Sequence, residues 1–381
     1  MRELSDLLAD DAGRALLQER GMHTDPVAFA ALLSPPPDGA LNALLGLPAR
    51  TPLVHIGQQA CADIGPTVAA KFVAASTLGG AGAATPVLWH DLDRAGSERR
   101  GMRVVLPSGN KTRGVWLAHR SLGDRAARFI DVDPDDLKRL FDELRAWVHN
   151  NVPADRAGAG ARVEALAGAV LDRSPVTLSD VNAALSDHLL RVRLGLDLPS
   201  TTLSAMVARG LLTASVEAYL NALDDIVRVF NEAIATLAEA GVDAHLRPIG
   251  DDYLPLFGSC ERCGTRLRLA HERAGADHYA VATCRCGELH RHHLGSGTLA
   301  LGELAESGRW SPDVSLPVHH NHIASGWVVG RSTALYGMVL NEVMERALGV
   351  DPIPGFIPAE LSGAGEDHGY GDSLLLTYLV G

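Results

Sequence analysis

The spacing of apolar residues predicts an α/β fold whose regular part begins just after residue 50. An apolar run over Pro52–Ile56 leads into Gly57 and two glutamines, and a helix is expected after Gly65-Pro66. A second apolar run, Pro86–Trp89, completes this first unit. Strands that alternate with helices are typical of a parallel, doubly wound sheet. Residues 1–50 hold a short amphipathic helix and a proline-rich stretch, and we interpret them as an N-terminal lead-in.

Alternating and helical patterns then divide the middle of the chain. Met102–Pro107 and Arg113–Ala118 alternate around a turn-rich tripeptide, which predicts a β-hairpin hung on the sheet. We assign residues 51–132 to the first half of a Rossmann-like core. Residues 133–250 show mainly helical spacing, including a long run from Ser200 to Gly241, and they predict a helical insertion. Within them, Val192–Leu198 alternates and fits either a strand or a helix end.

The core pattern resumes near the C-terminal end of the sequence. Gly326–Gly330 is an apolar run between glycines and predicts a short buried strand, followed by a helix over Ala334–Leu348. We place the second half of the Rossmann-like core in residues 299–381.

Composition narrows the classes of partner. The chain has 381 residues and a formal net charge of -12, which disfavours a sequence-independent grip on nucleic acid phosphates. Small molecules are therefore the favoured substrates. The acidic N-terminus does not resemble a signal peptide, and no apolar run is long enough to cross a bilayer. We expect a cytoplasmic protein without a membrane partner.

Four of the five cysteines form two short pairs with metal-ligand spacing. Cys260-x-x-Cys263 and Cys284-x-Cys286 are each followed directly by glycine, and 20 residues separate the pairs. The intervening segments can form an antiparallel ribbon, so residues 251–298 predict a zinc ribbon with four thiolate ligands. A closed site of this kind is normally structural. One alternative stays open, in which a nearby histidine replaces a cysteine: His290, His292 or His293.

A second candidate site lies at the end of the first predicted strand. His55, Gly57 and Gln58 stand between that strand and a helix, where open α/β sheets place their ligand crevice and where a helix N-terminus faces phosphate. The glycine permits close backbone approach, and the side chains can donate hydrogen bonds. A strand end with a satisfied histidine is the alternative interpretation.

The segment His55–Ala60, with Gly65-Pro66 downstream, resembles the Thr-Gly-Gln-Gln-Ala segment and Gly-Pro of the bacillithiol-biosynthesis cysteine-adding enzymes. Further segments resemble that family in the same order, over about residues 50–360: Pro86–Trp89, Ser311–Val314, Pro317-Val318 and Gly326–Gly330. The resemblance implies a Rossmann-like core similar to class I aminoacyl-tRNA synthetases. It also implies ATP, expected with magnesium, an amino acid that would be cysteine, and an amine-bearing small molecule.

Two departures from the family pattern leave the substrates undecided. The family's acidic run after its second strand appears here as Asp93–Gly96, with Glu98 just beyond it. Its Gly-Pro-Gly-Glu turn appears as Arg331-Ser332-Thr333 after Gly330. The family usually ends in a dimerisation coiled coil, and this chain shows none of that length, so a homodimer is an open alternative.

The resemblance combines with position to give one site hypothesis. His55, Gln58 and Gln59 would hold phosphates from one strand end. The start of the last core helix would hold them from the other side, through Gly330, Arg331, Ser332 and Thr333. Asp91 and Asp93 follow the second strand and would receive an amine or a magnesium ion, or else cap a turn.

Other polar and reactive residues carry weaker hypotheses. His320 and His322 belong to a histidine cluster that would supply a general base from a cleft loop, or form an exposed loop. Cys61 is expected in the core, with a reactive thiol as the minor alternative. We interpret Trp327 and Tyr336 as packing residues, although an aromatic ring beside a nucleotide base would look the same in sequence.

The favoured function is an ATP-dependent ligase of thiol or specialised-metabolite biosynthesis. One alternative is a synthetase-like enzyme that activates an amino acid for a carrier or a tRNA, although the acidic balance disfavours RNA. The other is a non-catalytic zinc-binding assembly module, which the lost acidic residues would favour.

Overall fold

The computed structural model describes residues 2–96, 101–313, 323–358 and 373–381 of the chain. Its strands, in chain order, are β1 (Met22–His23), β2 (Val54–Gln59), β3 (Val87–His90), β4 (Arg103–Ser108), β5 (Lys111–Trp116), β6 (Ser200–Thr202), β7 (Tyr253–Ser259), β8 (Arg266–Ala274), β9 (Asp277–Thr283), β10 (Leu289–Gly295), β11 (Trp310–Pro312), β12 (Gly326–Val328) and β13 (Gly355–Phe356).

Helices connect these strands and cover them. In chain order they are α1 (Leu4–Ala9), α2 (Asp11–Glu19), α3 (Pro26–Ala30), α4 (Ala40–Leu44), α5 (Pro66–Thr77), α6 (Pro134–Asn151), α7 (Arg156–Leu171), α8 (Leu178–Leu194), α9 (Leu203–Ala208), α10 (Thr213–Leu220), α11 (Leu223–Glu239), α12 (Glu303–Ser307), α13 (Arg331–Leu348) and α14 (Leu374–Val380). Within the described ranges, no helix is both long enough and apolar enough to cross a membrane.

A six-stranded sheet, in the order β1-β13-β12-β2-β3-β6, forms the centre of the molecule. All its neighbouring strands pair in parallel. Counted from β2, the run β6-β3-β2-β12-β13 has the order 3-2-1-4-5 that Rossmann-like sheets show, and β1 adds a sixth strand at one edge. The prediction of a parallel α/β sheet is therefore confirmed. The strand order reverses between β2 and β12, and open α/β sheets bind ligands at this switch point.

Both faces of the sheet are buried, as parallel sheets require. Along β3, Val87 and Trp89 join one hydrophobic cluster, while Leu88 between them joins another. Helices α5 to α8 and α14 contribute to the first cluster, and α1, α2, α9 to α11 and α13 contribute to the second. Continuous burial explains why the core strands are short apolar runs in the sequence and not alternating ones.

The structure differs from the sequence predictions in two local features and decides between the alternatives in a third. Strands β4 and β5 form the predicted hairpin, but they pair only with each other and not with the main sheet. The helical run predicted from Ser200 begins instead with β6, which pairs with β3. Val192–Leu198 contains the C-terminal end of α8, which Gly195 closes in the left-handed conformation. Local periodicity cannot foresee an edge strand that tertiary pairing creates.

The cysteine region is part of a larger sheet than a hairpin. Strands β8 and β9 pair in antiparallel fashion, as predicted, and β7, β10 and β11 extend them to a five-stranded sheet in the order β10-β9-β8-β7-β11. The two cysteine pairs lie in the turns after β7 and β9. We call this sheet with its two turns, residues 253–312, the cysteine ribbon.

Candidate functional site

A cavity of about 200 Å³ opens at the switch point, beside the carboxyl ends of β2 and β12. Its wall combines one side chain from the helix after β2, the last residue of β3 and two residues of α13 with the ends of the two strands. The lining residues are His55, Gly57, Gln58, Gln59, Lys71, His90, Trp327, Val328, Thr333 and Tyr336. Four of the predicted site residues of β2 are therefore brought together with Thr333 of α13.

Parallel pairing of β2 with β12 positions the histidine of this site. His55 lies opposite Trp327 in the sheet register, and their rings stack with centroids 6.4 Å apart. His55 is 2% exposed and Trp327 is 6% exposed. The imidazole is therefore fixed at the cavity wall by strand pairing and ring packing.

Lys71 supplies the cationic group of the cavity. It lies on α5, is buried, and its Nζ donates to the carbonyl oxygen of Gly57 at 2.9 Å and to Oε1 of Gln58 at 3.3 Å. Burial lowers the pKa of Lys71 from 10.5 to about 8, because a desolvated ammonium is disfavoured relative to the neutral amine. At neutral pH the ammonium is still protonated, and it is held against the strand that carries the predicted phosphate contacts.

The β3 side of the cavity is formed by His90. Burial lowers the pKa of His90, which keeps its imidazole neutral near pH 7. Asp93, three residues further on, accepts from Nε2 of Gln59 at 3.5 Å and pairs with a guanidinium nitrogen of Arg266 at 2.9 Å. The Asp93 charge is therefore balanced by an arginine that comes from the cysteine ribbon.

The N-terminus of α13 faces the same edge of the sheet, directly after β12. Gly330 is the N-cap, and no side chain caps the helix there. Thr333 lines the cavity, and its Oγ1 accepts from the hydroxyl of Tyr336 at 3.1 Å. Arg331 and Ser332 begin the helix but do not line the cavity.

Asp91 has a different environment from the cavity residues. It is fully buried, and its carboxylate accepts from the Ser204 backbone N–H at 2.9 Å and from the Oγ atoms of Ser204 and Ser179 at 2.5 and 3.1 Å. It does not line the cavity. These contacts join β3 to the starts of α8 and α9, the structural role that the sequence left open for this residue.

Gly57→Ala is expected to weaken ligand binding in the cavity by about tenfold, which corresponds to about 1.4 kcal/mol of binding free energy, because it displaces a side chain of the cavity wall. A Cβ at Gly57 would lie 3.0 Å from Nε2 and 3.1 Å from Cε1 of His90, which pushes the imidazole into the cavity. Gly79→Ala is the matched control, because nothing lies within 4 Å of its Cβ position. Calorimetric ATP titration and thermal melting of both variants would check this, and equal affinities would contradict it.

The four predicted metal ligands are brought together at the open end of the cysteine ribbon. The Sγ atoms of Cys260, Cys263, Cys284 and Cys286 all lie within 4.8 Å of one another. Sγ of Cys260 is 3.7 Å from that of Cys286, and Sγ of Cys263 is 3.4 Å from that of Cys284. Tetrahedral zinc with Zn–S bonds near 2.3 Å needs sulfur pairs about 3.8 Å apart. The cluster can therefore bind a metal ion such as zinc with little rearrangement.

In both turns of the cluster, the glycine after the cysteine pair bonds back to the first cysteine, over four residues in one turn and three in the other. The N–H of Gly264 donates to the Cys260 carbonyl, and the N–H of Gly287 donates to the Cys284 carbonyl, each at 2.8 Å. Both glycines have positive φ, +70° and +87°, which explains the glycine after each cysteine pair. Two turns of different length, each ended by a glycine, thus bring the four thiols together.

The histidines near the cluster lie on the strands of the ribbon. His290 and His292 have stacked rings on β10, and Nε2 of His293 is 3.1 Å from Oδ1 of Asp277. Among the described residues, the four cysteines form the only group of three or more potential ligands close enough to share an ion. Cys61 is buried in the core, and His320 and His322 lie outside the described residues.

Sequence reasoning missed Lys71, His90 and Arg266. One signal for the first was available, because the chain has only three lysines and Lys71 is the one charged residue of its helix. His90 follows a strand that the sequence did predict, and its position at the end of that strand marks it as a candidate. The sequence gave no signal for Arg266, because its partner Asp93 lies far away along the chain.

No protein-family model matches the chain, and no curated protein matches it. The likeness to the cysteine-adding enzymes therefore rests on the short segments around His55 and Gly326 and on their order along the chain.

Proposed function

We propose that this protein is an ATP-dependent ligase that joins an amino acid to an amine-bearing small molecule. One observation carries the proposal: Lys71, His55 and the start of α13 converge on a cavity at the switch point of a parallel sheet. That is the place where such sheets bind nucleotides and other phosphates. The resemblance to the cysteine-adding enzymes selects the reaction class, with cysteine as the first amino acid to test.

The charges around the cavity favour an anionic ligand. Lys71 contributes a buried ammonium, and the α13 N-terminus contributes the positive end of a helix dipole. Two carboxylates nearby are paired, Asp93 with Arg266 and Asp313 with Arg268. The charge around the cavity is therefore positive, opposite in sign to the formal net charge of the chain, which is -12.

The size of the cavity indicates which part of ATP it would hold. Drug-sized ligands occupy roughly 300–1,000 Å³, and this cavity measures about 200 Å³. It fits the phosphate chain or one ring system, while the rest of the nucleotide would lie over the open edge formed by the strand ends.

The proposed reaction activates a carboxylate and then forms an amide. A carboxylate oxygen of the amino acid attacks a phosphorus of ATP, and either pyrophosphate or ADP leaves. The amine of the acceptor then displaces AMP (after pyrophosphate release) or phosphate (after ADP release) from the acyl carbon and loses a proton. Lys71, His55 and Gln58 would stabilise the charge on the phosphate oxygens, which is the main catalytic requirement of phosphoryl chemistry.

In this proposal the cysteine ribbon is a zinc ribbon with a structural ion. Four thiolates fill a tetrahedral zinc site and leave no position for a substrate. Magnesium would accompany ATP, as is usual for phosphate-bound nucleotides.

Labelled pyrophosphate exchange and product analysis test the proposed function together. Purified protein with ATP, cysteine or other single amino acids, and candidate amines is expected to exchange pyrophosphate into ATP or to release ADP, in a manner that depends on the amino acid. Lys71→Met should abolish either activity. A requirement for RNA would instead support the synthetase-like alternative, and the absence of both products with every amino acid would contradict the ligase.

A further inference from the structure

The cysteine ribbon contributes a buried side chain, Arg266, that reaches the switch-point cavity indirectly, through a carboxylate in contact with Gln59 of the cavity wall. Arg266 is the first residue of β8 and stands three residues after the metal ligand Cys263. Its side chain is 10% exposed, and its guanidinium lies 3.5 Å from the centroid of the Phe257 ring. From this position a guanidinium nitrogen reaches Oδ1 of Asp93 at 2.9 Å.

Asp93 in turn contacts the strand that forms the cavity wall. Its Oδ2 accepts from Nε2 of Gln59, the last residue of β2, at 3.5 Å. The Asp93 side chain is 16% exposed, so most of its charge is removed from water and depends on its partner. Arg266 therefore holds in place, and neutralises, the carboxylate that contacts Gln59 of the cavity wall.

Backbone contacts form a second connection between the cysteine ribbon and the segment that contains Asp93. Thr265, between the first cysteine pair and Arg266, forms an antiparallel bridge with Arg125. The Arg125 carbonyl accepts from the N–H of Ala95 at 2.8 Å, and Arg94 forms an antiparallel bridge with Ala126. The turn that carries two metal ligands is therefore tied directly to the segment that contains Asp93.

Backbone hydrogen bonds close the first cysteine turn and fix the start of β8. The N–H of Cys260 donates to the carbonyl of Thr265 at 2.9 Å, and the N–H of Arg266 donates to the carbonyl of Asp124 at 2.9 Å. A metal ion that fixes Cys260 and Cys263 also fixes the residues between them and the start of β8, because the turn closes on itself.

We propose that metal binding to the four cysteines controls the affinity of the switch-point cavity for its anionic ligand, with Arg266 as the positioning residue. With the metal bound, Arg266 neutralises Asp93 and holds Gln59 at the wall. Without it, the turn loosens, Asp93 loses its partner, and its negative charge opposes both Lys71 and the ligand. The proposal rests on the proposed function only in its choice of ATP as the ligand probe.

Hydrogen–deuterium exchange tests the positional part without any ligand. Removing the metal with a chelator is expected to speed exchange in residues 91–96 and 124–126, while α7 (Arg156–Leu171) stays protected. Arg266→Gln should speed exchange in residues 91–96 while it retains one metal ion per chain. Arg291→Gln is the matched control, because this arginine lies on the same ribbon but pairs with Glu272 at the exposed surface.

ATP titration tests the effect on affinity. Arg266→Gln is expected to weaken ATP binding by about tenfold, the loss typical when a supporting contact of a binding site is removed. Arg291→Gln should bind like the wild type, and Arg266→Gln combined with Asp93→Asn should recover part of the loss, because the uncompensated charge is gone.

The outcomes separate this proposal from the proposed function. Unchanged exchange in residues 91–96 for both the metal-free protein and Arg266→Gln would overturn the coupling, whether or not ATP binds. If chelation unfolds the whole chain, α7 also loses its protection. In that case the exchange of residues 91–96 in Arg266→Gln, which retains its metal, decides the coupling. Absence of ATP binding by the wild type, with the expected exchange pattern intact, would count against the ATP ligase and leave the coupling supported.

Discussion

Cys284→Ser is expected to abolish stoichiometric metal binding and to unfold the cysteine ribbon. A serine oxygen is a much poorer zinc ligand than a thiolate, and the other three cysteines would lose the ion that holds the two turns together. Structural zinc contributes about 10–16 kcal/mol in small zinc-finger peptides, so we expect a loss on the order of 5 kcal/mol in the stability of the ribbon. Elemental analysis, circular dichroism and thermal melting would measure both effects.

Cys61→Ser provides the matched control for this substitution. Cys61 is buried in the main hydrophobic core and does not belong to the metal cluster, so the same chemical change should leave the metal content at one ion per chain. Its cost should be limited to about 1–3 kcal/mol for burying a hydroxyl. Retention of a full equivalent of zinc by Cys284→Ser would show that the four-cysteine account is wrong.

Lys71→Met is expected to reduce ATP affinity by roughly 100-fold, because charge-assisted contacts to phosphate are among the strongest in a binding site. Lys71 is the buried cation of the cavity, and methionine fills a similar volume without charge. Lys138→Met, at an exposed position on α6, should bind ATP as the wild type does. Equilibrium titration of the three proteins would give the ratio, and equal affinities would remove Lys71 from the site.

The lowered pKa of Lys71 predicts that ATP affinity and folding stability change in opposite directions as the pH rises. ATP affinity should fall as pH rises through about 8, since the ammonium loses its charge there. Folding stability should rise over the window from about 8 to 10.5, because the unfolded chain, with its ordinary lysine, binds more protons than the folded chain. Lys71→Arg should flatten both trends, since arginine stays charged throughout. A wild-type affinity that does not change across pH 8 would contradict this assignment.

The sequence predicted those parts of the fold that local pattern determines. Val54–Gln59 and Val87–His90 are apolar strands with a clear glycine-containing turn and helix between them, and their parallel pairing is confirmed. The cysteine turns were predictable because a metal site requires both the spacing and the following glycines. In each case the physical requirement acts within a few residues.

Features that depend on distant pairing could not be predicted in the same way. Strands β1 and β13 have two residues each, too short to show any period, and the edge strand β6 consists of Ser200–Thr202, which shows no apolar pattern. The sequence left the role of Asp91 open, because the residues that hold its carboxylate, Ser179 and Ser204, lie about a hundred positions away. Tertiary contacts of this kind leave no mark in a local window.

The measurement that tests the central claim most directly is a calorimetric titration of ATP into the purified, metal-analysed protein, with His55→Ala and Arg331→Ala alongside. We predict one metal ion per chain, saturable ATP binding by the wild type, and a loss of affinity of at least about tenfold for His55→Ala, which lines the cavity. Arg331→Ala, at the first position of α13, should lose affinity by a smaller factor. Full metal content without ATP binding by the wild type, or binding that His55→Ala leaves unchanged, would contradict a phosphate site at this switch point.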